Sequence, residues 1–471
     1  MDEHICCQNG LNPTDIVVVM VPFPAQGHIN QLIHLTRLIT TYKIPVHFAG
    51  SAIHNRQAKL RLHGWNLERT SNIHFHDYQL PPFTSLQPDP NTNIKFPQHL
   101  QPLFDASLHL RQPVYSLLKE LSNKYRKVII IHDNLMASVV QDLKLIPNAE
   151  SYTFLSVSAF TIFFNKWESL KDKPFELDHD VPAHIPSREG CFTPEFEKFI
   201  ANQHKILSEF ESGRLFNSCK IIEGRYLALL SKLQTDSKRK LFAVGPFNPV
   251  KIEGKPGFFR HPALDWLDKQ EKDSVIYVSF GTITSMNDEQ IRELGIGLWK
   301  SDQKFIWVLR DSDKSDVFAP NQGRKLELPK GYEEKVKKRG IIVRDWAPQL
   351  EILAHPSVGG FLSHCGWNSC LESITMGVPI IAWPMHSDQP KNSILITKVL
   401  GIGLLVSDCE HRDELDASTS VENVVRRLMV SDEGVAMRRR AVELGVAVRE
   451  SVEDRGSSRV ELKSFIAHIS R

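Results

Sequence analysis

The chain is 471 residues long, 41% hydrophobic and 24% charged, with a formal net charge of +2. This is a globular composition with ample material for a core, and at roughly 150 residues per domain it predicts two or three domains. Lys and Arg are interspersed with Asp and Glu, so charge points neither to nucleic acid nor to a membrane surface. No apolar stretch approaches the ~18 residues of a membrane-spanning helix. The opening residues lack the basic start and apolar run of a secretory signal. Pro13 disqualifies Asn12-Pro13-Thr14 as a glycosylation acceptor. The seven cysteines form no CxxC pair, and Cys6 and Cys7 fall in a polar tail. Reduced thiols and a cytoplasmic location are the expectation. Nothing in the sequence reads on assembly, and a monomer is the default expectation.

Ile16 to Val21 is a continuous apolar run between Asp15 and Pro22, the pattern of a strand buried on both faces. Asn30 to Tyr42 carries apolar residues at helical spacing. Ile44 to Ala49, Ile73 to His76 and Val128 to Ile131 read as further strands, and His99 to Tyr125 as a long helix broken at Pro113. A second block opens with a strand at Ser274 to Phe280, a helix at Asp288 to Lys300 and a strand at Phe305 to Leu309. It continues with strands at Val358 to Leu362 and Val378 to Ala382. Between the blocks, Gly245 to Pro262 holds four prolines and little periodicity, as a linker does. The alternation predicts an α/β protein with two parallel sheets. The expected division is a first domain over 1–245, a linker over 246–262 and a second domain over 263–455. A closing helix over 456–471 is expected to pack back on the first domain. Two such blocks imply a cleft, and ligands of open parallel sheets bind beyond the carboxyl ends of the strands.

The first strand runs into Val21-Pro-Phe-Pro-Ala-Gln-Gly-His28, with a helix following. His28 at that helix start is suited to general-base work near neutral pH, although a lone loop histidine is a weak signal. A base histidine needs an orienting partner. Asp133, at the carboxyl end of the strand from Val128, can orient and stabilise the imidazole; it can equally be an N-cap for a helix beginning near Leu135.

Trp346 to Gln389 is the second candidate site. His364-Cys-Gly-Trp-Asn-Ser369 follows a strand and turns into a helix. Backbone N–H groups at such a helix start, with the helix dipole behind them, form an anion site that suits a diphosphate. Gly366 permits close approach of the chain, and His364 and Ser369 add donors. Glu372, one turn in, can accept from ribose hydroxyls, Trp346 offers a face for stacking a base, and Asp388 with Gln389 can bond adjacent sugar hydroxyls.

This stretch, with PFPAQGH at the first site and SFGT at Ser279 to Thr282, resembles the plant family UDP-glycosyltransferases. The resemblance implies the GT-B fold, in which two Rossmann-like parallel-sheet domains face each other across a cleft. It implies inverting transfer that needs no metal and no cofactor beyond UDP-glucose as co-substrate. By that resemblance His28 is the catalytic base and Asp133 its partner. Trp346, Ala347 and Gln349 meet the uracil, and His364, Asn368, Ser369 and Thr282 the phosphates. Glu372 meets the ribose, and Trp367, Asp388 and Gln389 the sugar. Ser156 stands where a threonine often touches the donor. A closing Gln, here Gln389, goes with glucose in that family, where a His often goes with galactose. Ile73 to Phe83, Ile129 to Asp142 and the ending SFIAHIS resemble the zeatin O-glycosyltransferases. That implies a cytokinin hydroxyl as acceptor, with UDP-xylose as the rival donor and a flavonoid, phenolic or terpenoid alcohol as the rival acceptor. His132, Asn134 and Met136, beside Asp133, are then expected at or just behind the acceptor. The expected partners are a UDP-sugar and a small-molecule acceptor.

Asp311-Ser-Asp313 and Asp178-His-Asp180 are D-x-D patterns of the kind that can hold a metal, but both sit in charged loops that read as solvated. His74 and His76 can share a strand face, with no further ligand spacing to support a metal site. A UDP-sugar-binding protein without turnover and a retaining transferase are the alternatives. UDP release on acceptor addition separates the first, and the product's anomeric configuration the second.

Overall fold

In the computed structural model, residues 15–61, 72–84, 89, 95–178, 181–234, 239–252, 260–282, 286–310, 327–344, 346–407 and 417–471 are described. Cys6, Cys7, Asn12, Pro13, Thr14, Asp180, Asp311 and Asp313 lie outside the described residues, as does the part of the expected linker at 253–259.

The first block forms a seven-stranded sheet: β1 (Ile16–Val21), β2 (Val46–Ser51), β3 (Ile73–Tyr78), β4 (Lys127–Asp133), β5 (Ala149–Leu155), β6 (Glu211–Phe216) and β7 (Lys240–Ala243). They lie in the order β3-β2-β1-β4-β5-β6-β7, every pair parallel. The second forms a six-stranded parallel sheet: β8 (Val275–Ser279), β9 (Lys304–Val308), β10 (Gly340–Val343), β11 (Val358–Ser363), β12 (Ile380–Ala382) and β13 (Gly403–Leu405), in the order β10-β9-β8-β11-β12-β13. All residues of β1 and β11 are buried, as apolar strands covered by helices on both faces must be.

The strand order reverses between β1 and β4 in one sheet and between β8 and β11 in the other. A crevice opens at such a switch point, beyond the carboxyl ends of the strands. His28 follows β1 and Asp133 ends β4; Gly281 follows β8 and His364 follows β11. The four segments singled out from sequence therefore flank the two switch points.

The helices that position the site are α1 (Gln26–Thr40), α2 (Gln101–Ser107), α3 (Arg111–Ser122), α4 (Ala159–Ser169), α5 (Pro194–Leu207), α6 (Lys220–Lys232), α7 (Asp288–Lys300), α8 (Trp367–Met376), α9 (Gln389–Ile394) and α10 (Ser457–Ile469). The long helix expected over His99 to Tyr125 is interrupted, but not at Pro113. The break is a 3₁₀ turn at Leu108–Leu110, and Pro113 sits in the first turn of α3, where a missing N–H costs nothing. At the chain end, α10 lays Leu462, Phe465, Ile466 and Ile469 into the core of the first sheet. Phe465 meets Tyr152 and Phe242 at ring separations of 5.4 and 5.1 Å, and Arg126 donates to the carbonyls of Ser470 and Arg471. Each such apolar side chain contributes about 1.5–3 kcal/mol on burial.

Candidate active site

Pro22 and Pro24 end β1, and the buried ring of Phe23 anchors the loop against Phe104 at 4.6 Å. The chain then enters α1, which carries His28 in its first turn with its side chain 22% exposed. His28 Nδ1 lies 2.6 Å from Asp133 Oδ2 and 3.0 Å from Ser156 Oγ. The other Asp133 oxygen, Oδ1, accepts from the backbone N–H of Leu135 at 3.0 Å. Each oxygen of this side chain, which has no exposed surface, thus has its own partner. A carboxylate only accepts, so the short contact places the imidazole proton on Nδ1 and leaves Nε2 as the basic nitrogen.

Across the cleft, β11 ends in a turn that carries Cys365 at φ +63° and leads into α8. Among the described residues no side chain caps this helix, and its first turn holds no acidic residue, so the orphan N–H groups from Trp367 onward are available to an anion. The His364 ring lies against two glycines. A Cβ on Gly281 would stand 2.7 Å from His364 Nε2, and one on Gly366 would stand 2.5 Å from it. Burial lowers the His364 pKa to about 4 against the opposing contact with the Ser279 backbone, so the ring is neutral at pH 7 and carries one N–H; among the described residues its Nδ1 has no hydrogen-bond partner. Gln349 Nε2 donates to Ser369 Oγ at 3.1 Å and to Glu372 Oε2 at 2.7 Å, joining three of the expected nucleotide contacts. Trp346 is 59% exposed, its ring open to stacking, beside buried Ala347.

Two of the residues expected at the donor reach across the cleft with their side chains. Trp367 Nε1 donates to the Asn217 carbonyl at 2.8 Å, and Asn368 Nδ2 donates to the Gly27 carbonyl at 2.7 Å. Both bonds cross from the second domain to the first, and the latter ends one residue before His28. The Trp367 indole has no further donor to offer a ligand, whereas the Asn368 amide keeps its Oδ1 and its second N–H. Gln389 Oε1 accepts from the N–H groups of Met385 and His386 at 2.9 and 3.1 Å, and its Nε2, which carries two N–H bonds, lies 3.5 Å from His386 Nδ1. Asp388 Oδ2 accepts from Asn392 Nδ2 at 2.7 Å, and burial raises the Asp388 pKa.

The cleft between the domains has a volume of about 1710 Å³. That exceeds the ~300–1,000 Å³ of a site for one small ligand. His28, Ser156, Thr282, Trp346, Ala347, Gln349, His364, Trp367, Asn368, Ser369, Glu372, Asp388 and Gln389 all line it. Around His28 the wall is apolar and aromatic, with Phe23, Phe96, Leu103, Phe104 and Phe196. These phenylalanines come from separate segments, and the signal for them in sequence is the spacing of Phe192, Phe196 and Phe199 on and before α5. Of the three residues expected near the acceptor, Asn134 lines the cleft. Met136 is fully buried behind the wall. His132 is turned away: side chains alternate along a strand, so the neighbour of Asp133 faces the opposite side. There it is fully buried, with Nε2 at 3.0 Å from Ser151 Oγ and Nδ1 at 2.8 Å from the Asp133 carbonyl. Asp178, from the set-aside D-x-D pattern, pairs with Arg225 on the surface.

Residues 14–249 match the family described as glycosyltransferase, N-terminal domain, and residues 261–432 the family described as UDP-glucoronosyl and UDP-glucosyl transferase. The chain is 52% identical to zeatin O-glucosyltransferase of Phaseolus lunatus over 459 residues, 97% of this chain and 98% of that protein. It is 49% identical to zeatin O-xylosyltransferase of Phaseolus vulgaris, over 97% of this chain and 99% of that one. Among solved structures it is similar to a glycosyltransferase from Siraitia grosvenorii in complex with UDP, with a TM-score of 0.76 and 26% identity over 97% of this chain and 100% of that one. These likenesses carry the GT-B fold expected from the sequence.

Proposed function

This chain belongs to the UDP-glycosyltransferase family, and we propose that it transfers glucose from UDP-glucose to a hydroxyl of a cytokinin such as zeatin, with inversion and without a metal ion. The observation that carries the chemistry is the 2.6 Å contact between His28 and buried Asp133, facing the uncapped start of α8 across the cleft. An alcohol is too weak an acid to ionise alone at neutral pH, so its proton must leave as the new bond forms. His28 Nε2 takes that proton while the hydroxyl oxygen attacks the anomeric carbon. Asp133 stabilises the imidazolium through Nδ1. The bond from the anomeric carbon to the diphosphate breaks with its electron pair, and UDP leaves from the opposite face. First-turn N–H groups of α8, with His364 and Ser369, meet the developing charge, a role that requires no divalent ion. An α-linked donor then gives a β-linked product.

Asp388 and the second N–H of Gln389 Nε2, both residues lining the cleft, are proposed to bond the sugar hydroxyls. Xylose lacks the exocyclic CH₂OH but keeps the ring hydroxyls, and a relative named as a xylosyltransferase is 49% identical, so UDP-xylose is the second reading for the donor. The aromatic wall around His28 suits a flat ring with an apolar tail. An acceptor screen with UDP-glucose, UDP-xylose and UDP-galactose, read by mass spectrometry, tests both choices. Zeatin O-glucoside is expected, with a β anomeric proton coupling in the NMR spectrum of the isolated product. No product from zeatin beside efficient turnover of a flavonoid or terpenoid refutes the acceptor, and preference for UDP-galactose refutes the donor.

A further inference from the structure

Asn392 lies on α9, three residues past Gln389, fully buried at the seam between the domains. Its amide uses all four of its hydrogen-bonding positions. Oδ1 accepts from Ser158 Oγ at 2.7 Å and from Thr161 Oγ1 at 3.2 Å, both at the start of α4 in the first domain. Nδ2 donates to the Cys365 carbonyl at 3.0 Å and to Asp388 Oδ2 at 2.7 Å. One side chain thus joins three pieces of the site. These are the segment that begins with Ser156, which touches His28; the turn that leads into α8; and the carboxylate at the sugar side of the cleft. Burial raises the Asp388 pKa, and the Asn392 amide is the foremost contact that opposes this by favouring the charged form.

We propose that Asn392 is a positioning residue for glycosyl transfer: by donating to Asp388 and accepting from Ser158 and Thr161, it fixes the donor sugar relative to the domain that carries His28. The proposal rests on the reading of Asp388 as a sugar contact. The reacting oxygen comes from one domain and the anomeric carbon is held by the other, so the distance between them is a distance between domains. A buried bond at the seam sets that distance; a loose seam lets it drift by the fraction of an ångström that matters to a near-attack geometry.

The test uses the full chain with UDP-glucose and the acceptor that the wild-type enzyme turns over fastest in the screen above. Asn392→Ala, Asn392→Asp and Asp388→Asn are compared for kcat, KM, UDP affinity and melting temperature. Asn392→Ala is expected to lower kcat by about 10- to 100-fold while UDP affinity changes by less than about threefold. Asn392→Asp keeps size and shape, and carries the test where the alanine variant does not fold. Protonated, its carboxyl donates one O–H to Asp388 as the amide does; ionised, it sets two carboxylates side by side. The other ionisable groups around this spot are His28 across the cleft, the Cys365 and Cys370 thiols, and Glu223 behind α4. The ratio of Asn392→Asp to wild-type kcat should therefore rise as pH falls from about 8 to about 6. A merely structural role predicts a lower melting temperature, an unchanged kcat per folded molecule and a flat ratio; that result overturns the proposal. Asn392 variants within threefold of wild type beside a crippled Asp388→Asn overturn it too, while the reading of Asp388 survives. Normal kinetics in Asp388→Asn defeat that reading, and the proposal falls with it.

Discussion

Replacing Asp133 with Asn separates its two roles cleanly. The Asn side chain keeps one carbonyl oxygen, which can go on accepting from Leu135 N–H, so the cap survives. Its NH₂ then faces His28 Nδ1, where a carboxylate oxygen stood at 2.6 Å. An amide donor there requires a lone pair on Nδ1, which moves the ring proton to Nε2 and leaves no basic nitrogen toward the acceptor. The imidazolium of the transition state also loses a buried charge-assisted bond, worth about 1.5–3 kcal/mol, which alone is roughly 10- to 150-fold in rate. With the tautomer reversed as well, the loss in kcat should reach on the order of 10³- to 10⁴-fold. Asp133→Ala removes the cap too and strands the buried Leu135 N–H, adding a stability loss of about 1–3 kcal/mol that Asp133→Asn avoids. Initial rates of UDP release give kcat, a thermal melt gives stability, and calorimetry with UDP should return wild-type affinity for both. An Asp133→Asn enzyme with kcat within threefold of wild type would falsify the orienting role and leave Asp133 as a cap alone.

The anion site proposed at α8 uses backbone N–H groups, so EDTA should leave the rate unchanged; full inhibition reversed by manganese or magnesium would require a metal in the scheme. Gly366→Ala keeps an ordinary backbone angle but sets a Cβ 2.5 Å from His364 Nε2. The ring must shift, and UDP affinity should fall at least about tenfold, as for a lost hydrogen bond to a charged group; calorimetry that finds less than a twofold change rules this out. Burial holds both His54 and His364 at a pKa of about 4 against an ordinary 6.5. Between those values the unfolded chain binds protons that the folded chain does not, so stability falls as pH drops from 6.5 toward 4. The melting temperature should decline across that window, and less steeply in His54→Asn; an identical slope in the two proteins counts against the assignment.

What could be read from the sequence follows from where the information lies. Asp15 and Pro22 bracket six apolar residues, and β1 has those bounds. Helix α7 runs from Asp288 to Lys300 as its periodicity says, because Asn287 and Gln290 form a capping box at its start. Strands such as β6 (Glu211–Phe216) and β13 (Gly403–Leu405) gave no such signal. The first mixes Glu, Gly and Arg into its run, and the second is three residues long. Apart from Thr282, the residues expected at the donor lie within the 44 residues from Trp346 to Gln389, and the strand, turn and helix start read there are those the structure has. Asn134 and His132 both flank Asp133, yet only Asn134 lines the cleft: strand alternation turns His132 away, whereas β4 has ended by Asn134, which opens a 3₁₀ turn. The contacts between Trp367 and Asn217 and between Asn368 and Gly27 span 150 and 341 residues, and no local pattern records them.

Those two long-range bonds bear on why an aromatic and an amide side chain stand at the start of α8. An anion bound there needs only main-chain N–H groups, which any residue but proline supplies. The side chains are thus available for a second task, and both reach the opposite domain. The Asn368 bond ends at Gly27, one residue from the proposed base, and the Trp367 indole is buried against the loop after β6. On the proposed mechanism the leaving diphosphate sits on α8 and the attacking oxygen sits at His28, so the reaction coordinate runs from one domain to the other. A helix start that binds the leaving group with its backbone and grips the base-bearing domain with its side chains holds both ends of that coordinate in one rigid piece. Loss of either grip should lower turnover through geometry, without removing any group that touches the reacting atoms.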